Sequence, residues 1–197
     1  MKKFVSLAAA SLMLVPALAL AQDAASVATA TDMVSSSQWG LPFAFFGAGL
    51  ATILASIGSI LGVSMVGQAG AGLVSEKPDL AGKVITLAVL PGSQGLYGMV
   101  ISLLFIFNYA SVINGEVGIS LTQGMTLFFA FLPVAFTCLT SAPFQAKVCS
   151  AGMHMLAKDG RLAGRVITMA ALVETYALLG FLISFFMLNS FRVGILG

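Results

Sequence analysis

The sequence predicts an all-α membrane protein of four transmembrane helices arranged as two duplicated hairpins, and three observations carry that reading. Only 8% of the 197 residues are charged, against about 25% in an ordinary soluble domain, while 59% are hydrophobic. Four long apolar segments, near 40–74, 80–112, 120–157 and 162–192, each exceed the roughly 20 residues that cross a hydrocarbon core. The second half also repeats the first at a shift of 82 residues. Leu80-Ala81-Gly82-Lys83-Val84-Ile85-Thr86 lies on Leu162-Ala163-Gly164-Arg165-Val166-Ile167-Thr168, Ala69-Gly70 on Ala151-Gly152, and Ile101-Ser102 on Ile183-Ser184. Both copies have the same topology, so the repeat is parallel, unlike the inverted repeats of many secondary transporters. So few charges cannot coat a soluble enzyme or build a phosphate-binding face, and nucleic acid is not an expected partner.

Taken in order, residues 1–21 read as a signal peptide. Lys2 and Lys3 precede an apolar run from Phe4 to Leu20, and Ala19-Leu20-Ala21 is a small-x-small cleavage pattern. The mature chain is then expected to begin at Gln22; the alternative is a retained fifth helix. Residues 22–39, rich in Ala, Ser and Thr, are expected to be a polar external tether.

The first helical hairpin spans 40–112, an external loop 113–119, and the second hairpin 120–197. Ser75-Glu76-Lys77-Pro78-Asp79 and Lys158-Asp159-Gly160-Arg161 turn the two hairpins, while Asn114-Gly115-Glu116 joins them. Lys77, Lys83, Lys147, Lys158, Arg161 and Arg165 flank the two hairpin turns, and the joining loop has no Lys or Arg. The bias of basic residues toward the inside therefore places both hairpin loops in the cytoplasm and the mature termini outside, with only Arg192 dissenting. The first helix carries small residues at Gly47, Ala51, Ala55 and Ser59, with Gly58 and Gly62 as a GxxxG, a face that admits close helix packing in lipid. The third helix instead carries Phe128, Phe129, Phe131, Phe136 and Phe144, so its face is expected to be less tight.

Enzyme constellations are missing from the sequence. Cys138 and Cys149 lie 11 residues apart, roughly 16 Å along a helix and too far for a disulfide. His154 is the one histidine and sits one turn from a basic loop, as a solvated loop-end residue would. No nucleotide-binding glycine motif occurs, so any ATP chemistry belongs to other subunits.

Glu174 is the exception in the apolar sequence. It lies mid-helix, and an ionisable group at that depth is by default functional. Its repeat counterpart is Gly92, so four helices share one carboxylate. On the second helix Leu90, Ser93, Gln94 and Tyr97 fall at i, i+3, i+4 and i+7 and share a face. Pro91 interrupts that helix, freeing the Leu87 carbonyl and exposing its neighbours. On the third helix Gln145 follows Pro143. Together these supply an all-oxygen cage for a hard cation, and one carboxylate balances one monovalent charge. A proton needs only Glu174 and one hydrogen-bond partner. A sodium ion gives every surplus amide and hydroxyl a partner, and the ligand count favours Na⁺ over H⁺.

Leu90-Pro91-Gly92-Ser93-Gln94-Gly95-Leu96-Tyr97-Gly98, paired with Val173-Glu174-Thr175-Tyr176-Ala177-Leu178-Leu179-Gly180-Phe181, resembles the membrane-rotor proteolipid (subunit K) of V-type and A/V-type rotary ATPases. Gln145-Ala146-Lys147-Val148 and Leu156-Ala157-Lys158 resemble the family's third helix. The resemblance covers about 40 to 190. It implies a rotor ring of identical subunits in the bilayer, turning against a stator membrane subunit with an arginine and attached to a central-stalk subunit. It implies ion ligands at Glu174, Gln94, Gln145, Ser93 and the Leu90 carbonyl, with Tyr97 hydrogen-bonding the glutamate and Ser93 in place of the usual Thr. No cofactor is expected beyond the transported Na⁺ or H⁺, and the expected location is the bacterial inner membrane. The signal-like extension departs from the short N-termini of many bacterial members. A self-contained oligomeric channel or carrier is the rival; it would spread polar residues along its path, whereas here they gather at one depth.

Overall fold

The computed structural model describes residues 39–196; the expected signal peptide and residues 22–38 of the tether lie outside them. The described chain is helical. Helix α1 runs Gly40–Glu76 and stops at Lys77, ahead of Pro78, whose ring sits at the first position of a 3₁₀ turn, Pro78–Leu80. Helix α2 (Ala81–Val89) leads into a second 3₁₀ turn, Leu90–Gly92, and α3 (Ser93–Asn108) completes that span. A single short turn, α4 (Ala110–Ile113), precedes the joining loop, where Gly115 takes φ +80°, open to glycine without strain. Helix α5 (Leu121–Lys158) contains Pro133 and Pro143, and after a 3₁₀ turn at Gly160–Leu162 comes α6 (Ala163–Leu196). Among the described residues four segments are long and apolar enough to cross a membrane: Gly40–Glu76, Pro78–Asn108, Leu121–Lys158 and Gly160–Leu196.

The second span departs from expectation at its far end. The helix stops at Asn108 because Tyr109 leaves helical geometry (φ −113°, ψ 27°). The Tyr109 side chain is fully buried, and its hydroxyl donates to the Leu188 carbonyl at 2.7 Å. A phenol in an apolar interior must find an acceptor, and here it reaches across to α6.

The duplication is visible in the packing. Gly70 is pressed against Val84, and its repeat partner Gly152 against Val166. A Cβ on Gly98 would stand 2.5 Å from the Ala51 carbonyl oxygen, and one on Gly180 would stand 2.8 Å from the Pro133 carbonyl oxygen, which is the same contact one repeat later. The small face of α1 closes mainly on α5. A Cβ on Gly58 would lie 2.6 Å from the Cys138 carbonyl oxygen, and one on Gly47 would lie 2.8 Å from Phe128 Cα. At Gly58 backbone meets backbone with no side chain between, as close packing in lipid requires, while at Gly47 the Phe131 and Phe128 rings also pack in. Phe136 and Phe144 point away from this contact and are more than half exposed. With Ile60, Phe107, Leu172 and Phe186 they form an apolar exterior suited to bilayer and neighbouring subunits.

The two hairpin turns lie side by side. Lys77 Nζ donates to the Ala157 carbonyl near the C-terminus of α5, where a cation also complements the helix dipole. Asp159 accepts from the Arg161 backbone at 2.8 Å and pairs with its guanidinium at 3.0 Å. The Arg161 side-chain hydrogen bonds, then its backbone N–H, hold the Asp159 carboxyl below its ordinary value. The pair is exposed, so it shapes the turn and adds little stability. At the other end, Ser120 and Gln123 form a capping box: Gln123 N donates to Ser120 Oγ at 3.2 Å, and Ser120 N to Gln123 Oε1 at 2.9 Å. Ser120→Ala is expected to cost about 1 kcal/mol, read as a lower unfolding midpoint in detergent.

Candidate functional site

The site is assembled where the Leu90–Gly92 turn breaks the second span. Proline cannot donate to the preceding turn, so the chain tightens to i→i+3 bonding and the Ser93 N–H caps the Leu90 carbonyl. The carbonyls this break exposes are taken up locally. Ser59 Oγ on α1 donates to the Pro91 carbonyl at 2.9 Å, and Ser93 Oγ lies 2.7 Å from the Leu90 carbonyl. The turn is thus pinned from both sides, and α3 restarts with Ser93 and Gln94 in its first turn.

Glu174, on α6, is half-buried and faces that restart. Its Oε1 accepts from the Tyr97 hydroxyl at 2.6 Å and from Ser93 Oγ at 2.8 Å. Ser93 has one proton for two acceptors, so the Leu90 carbonyl and Glu174 share it. The Tyr97 ring is steadied by Phe181, with centroids 5.7 Å apart. Glu174 Oε2 faces Gln145 Nε2 at 3.4 Å, a long contact; the same nitrogen donates to the Ala170 carbonyl at 3.2 Å.

Gln94 and Gln145 are both fully buried. Gln94 Nε2 donates to Gln145 Oε1 at 2.9 Å, and Ser141 Oγ on α5 donates to Gln94 Oε1. A continuous chain therefore runs Ser141, Gln94, Gln145, Glu174. All six residues expected at the site, Leu90, Ser93, Gln94, Tyr97, Gln145 and Glu174, come together within one chain, from α3 with its preceding turn, α5 and α6.

Two features differ from expectation. The amides do not need a cation to find partners: they pair with one another, and among the described residues no buried side-chain nitrogen or oxygen lacks a partner. Ligand count alone therefore does not decide between Na⁺ and H⁺. Ser141 is the other, a member of the network that the sequence does not single out. Its signal is its place four residues before Gln145, on the same helix face, and 82 residues after Ser59.

The chemistry available is reversible capture of one monovalent cation. A carboxylate, amide oxygens, a hydroxyl and a carbonyl are hard oxygen donors, and the site carries one negative charge. Among the described residues no group of three or more His, Cys, Asp or Glu is placed to hold a metal ion. His154 is exposed, four residues before the end of α5.

Comparison with known proteins gives the same picture. The family model for the C subunit of ATP synthase matches twice, at residues 46–105 and 128–187, reproducing the 82-residue offset of the internal repeat. The chain is 44% identical over 154 residues to the V-type sodium ATPase subunit K of Enterococcus hirae, covering 78% of this chain and 95% of that protein. It is 34% identical over 142 residues to the A-type ATP synthase subunit K of Methanocaldococcus jannaschii, covering 72% of this chain and 60% of that longer protein. It is 26% identical over 145 residues to the V-type proton ATPase 16 kDa proteolipid subunit of Chrysotila carterae, covering 72% of this chain and 86% of that protein. With both hairpins matched and, among the described residues, four apolar helices and one mid-helix carboxylate, the chain belongs to the family of the ATP synthase C subunit, among its V-type and A-type ATPase proteolipids.

Proposed function

We propose that this rotor-ring proteolipid carries Na⁺, bound at Glu174 with Gln94, Gln145, Ser93 and the Leu90 carbonyl, and releases it as the ring turns. The observation that carries the reading is the convergence of these oxygen-bearing groups, from three spans, on one carboxylate in an apolar surround. The name of the Enterococcus hirae relative, a sodium ATPase subunit, supports the choice of ion. Neutralisation is the physical logic: a lone carboxylate is costly in hydrocarbon, whereas the carboxylate with its cation can face lipid. Release then needs a positive group to displace the cation, a role that fits an arginine on a stator subunit. A central-stalk subunit would carry the torque, with ATP chemistry on other subunits. In this reading the Lys- and Arg-rich hairpin turns face the cytoplasm and the joining loop faces outward, in a bacterial inner membrane.

A proton is the second reading, and a specific observation favours it. The closed hydrogen-bond chain through Ser141, Gln94 and Gln145 satisfies the site without a metal ion.

Dicyclohexylcarbodiimide separates the two. The reagent attacks protonated carboxyls in apolar settings, so it should label Glu174 and leave Glu76 and Glu116 unmodified. Added Na⁺ should slow labelling at fixed pH, and Gln94→Ala or Gln145→Ala should each weaken that protection at least tenfold, as expected when a charged group loses a buried ligand. Labelling indifferent to Na⁺ up to high concentration would make this a proton ring.

A further inference from the structure

We infer that Ser141 is a positioning residue that lets the Gln94 amide turn over, so that the site changes from a hydrogen-bonded form to a sodium-coordinating one. The inference rests on the Na⁺ reading above. In the orientation seen here Gln94 presents its nitrogen to Gln145 Oε1 at 2.9 Å and its oxygen to Ser141. An N–H aimed between the two glutamines repels a cation. For both amide oxygens to act as ligands, the Gln94 amide must rotate by half a turn, exchanging donor and acceptor at nearly constant shape. Rotation places two oxygens face to face, an arrangement that is unfavourable without a cation and favourable with one.

The rotation requires something of the group behind the amide. It must donate to an oxygen in one form and accept from a nitrogen in the other. Ser141 Oγ can do both, because its own proton has a second destination. The Thr137 carbonyl lies 2.6 Å away, on the same helix. In the first form the Ser141 proton goes to Gln94 Oε1. In the second it goes to the Thr137 carbonyl, and the Ser141 lone pair receives Gln94 Nε2–H. No buried polar atom is orphaned in either form.

The repeat explains why Ser141 has this freedom. Its counterpart Ser59 is committed to the Pro91 carbonyl at 2.9 Å, exposed by the proline break. The corresponding residue on α6 is Val173, where there is no proline and no freed carbonyl. The same serine that pins the turn in the first hairpin is left over in the second and faces Gln94.

Removing the hydroxyl penalises the two forms unequally. In the hydrogen-bonded form, Gln94 Oε1 loses the Ser141 donor, and a buried carbonyl oxygen without a donor is the milder of the two defects. In the sodium form, Nε2–H is buried with no acceptor, the rarer and costlier defect.

The test is Na⁺ protection of Glu174 against dicyclohexylcarbodiimide in intact rings, for wild type and for Ser141→Ala, Ser141→Thr and Ser141→Val. Thr and Val share a shape and differ in the hydroxyl. Ser141→Thr should behave as wild type. Ser141→Ala and Ser141→Val should need about tenfold more Na⁺ for half-maximal protection, a shift larger than any change in the rate of labelling without Na⁺. A purely structural role would move that basal rate by as much. Equal Na⁺ requirements for the Thr and Val variants would overturn the proposal. So would loss of the ring in Ser141→Ala, since the role assigned asks nothing of Ser141 in assembly. Wild-type labelling indifferent to Na⁺ would instead remove the sodium reading, and this proposal with it.

Discussion

Glu174→Gln is expected to abolish ion-coupled ATP hydrolysis and synthesis in the complete complex while leaving the ring assembled. The substitution preserves the shape of the side chain, and the amide oxygen can still accept from Tyr97 and Ser93, which now reach Glu174 at 2.6 and 2.8 Å. What disappears is the exchangeable charge. A neutral amide cannot bind and release a proton, and it holds a cation without balancing it, so the loaded site is no longer neutral in lipid. The loss should be complete within detection, because among the acids of the four spans Glu174 alone lies away from a segment end. The measurement is ATP-driven ion uptake in vesicles carrying the reconstituted complex, with ring integrity followed by electrophoresis. Normal coupled transport by the variant would remove Glu174 from the site.

The second large effect is structural. Gly58→Leu should destabilise the subunit by about 3 kcal/mol or more and deplete assembled ring, because a new side chain must enter a space that the α5 backbone occupies. A Cβ there would sit 2.6 Å from the Cys138 carbonyl oxygen and 2.7 Å from Leu139 Cα, and backbone cannot move aside as a flexible side chain can. Gly164→Ala is the control. It lies in the first turn of α6 with nothing within 4 Å of an added Cβ, and should match wild type or gain slightly from better helix propensity. Yields of ring and unfolding midpoints in detergent would compare the two. Equal behaviour would mean that α1 and α5 are not held at this separation in the membrane.

What the sequence makes legible here, and what it hides, follows from how polar groups behave in an apolar chain. Glu174, Gln94 and Gln145 are conspicuous because each would be expensive in lipid without a role, and the break at Pro91 is conspicuous because proline cannot donate. The repeat is read directly, since Gly70 with Val84 and Gly152 with Val166 occupy equivalent positions and make equivalent contacts. Ser141 is hidden for the opposite reason. It sits beside Thr137 and Thr140, whose hydroxyls bond back to carbonyls one turn earlier at 2.8 Å, the ordinary fate of such residues in apolar helices. Only the neighbouring helix reveals that Ser141 also reaches Gln94. The stop at Tyr109 is hidden too, because the acceptor that draws the phenol away is Leu188, 79 residues further on. The direction of the amide chain is invisible in sequence, since a glutamine does not announce which end it will present.

The turn at Leu90–Gly92 has a mechanical consequence. Gly92 stands where the second hairpin has Glu174, and a side chain there would press on Val63 Cγ2 at 3.3 Å, while Ser59 holds the carbonyls on either side of the Pro91-Gly92 bond. The first hairpin therefore has no carboxylate at this position, and a side chain there would have to displace Val63 slightly. With Glu174 as the ion site proposed above, a rotor built from this subunit is a coarse gear, with one tooth for every four described helices around its rim. At a given circumference it passes half as many charges per revolution as a wheel with an acid in every hairpin. Each elementary charge costs about 2.3 kcal/mol per 100 mV, so one revolution against a given potential demands half the electrical work. The same motor torque, spread over fewer ions, can push each of them against a steeper gradient.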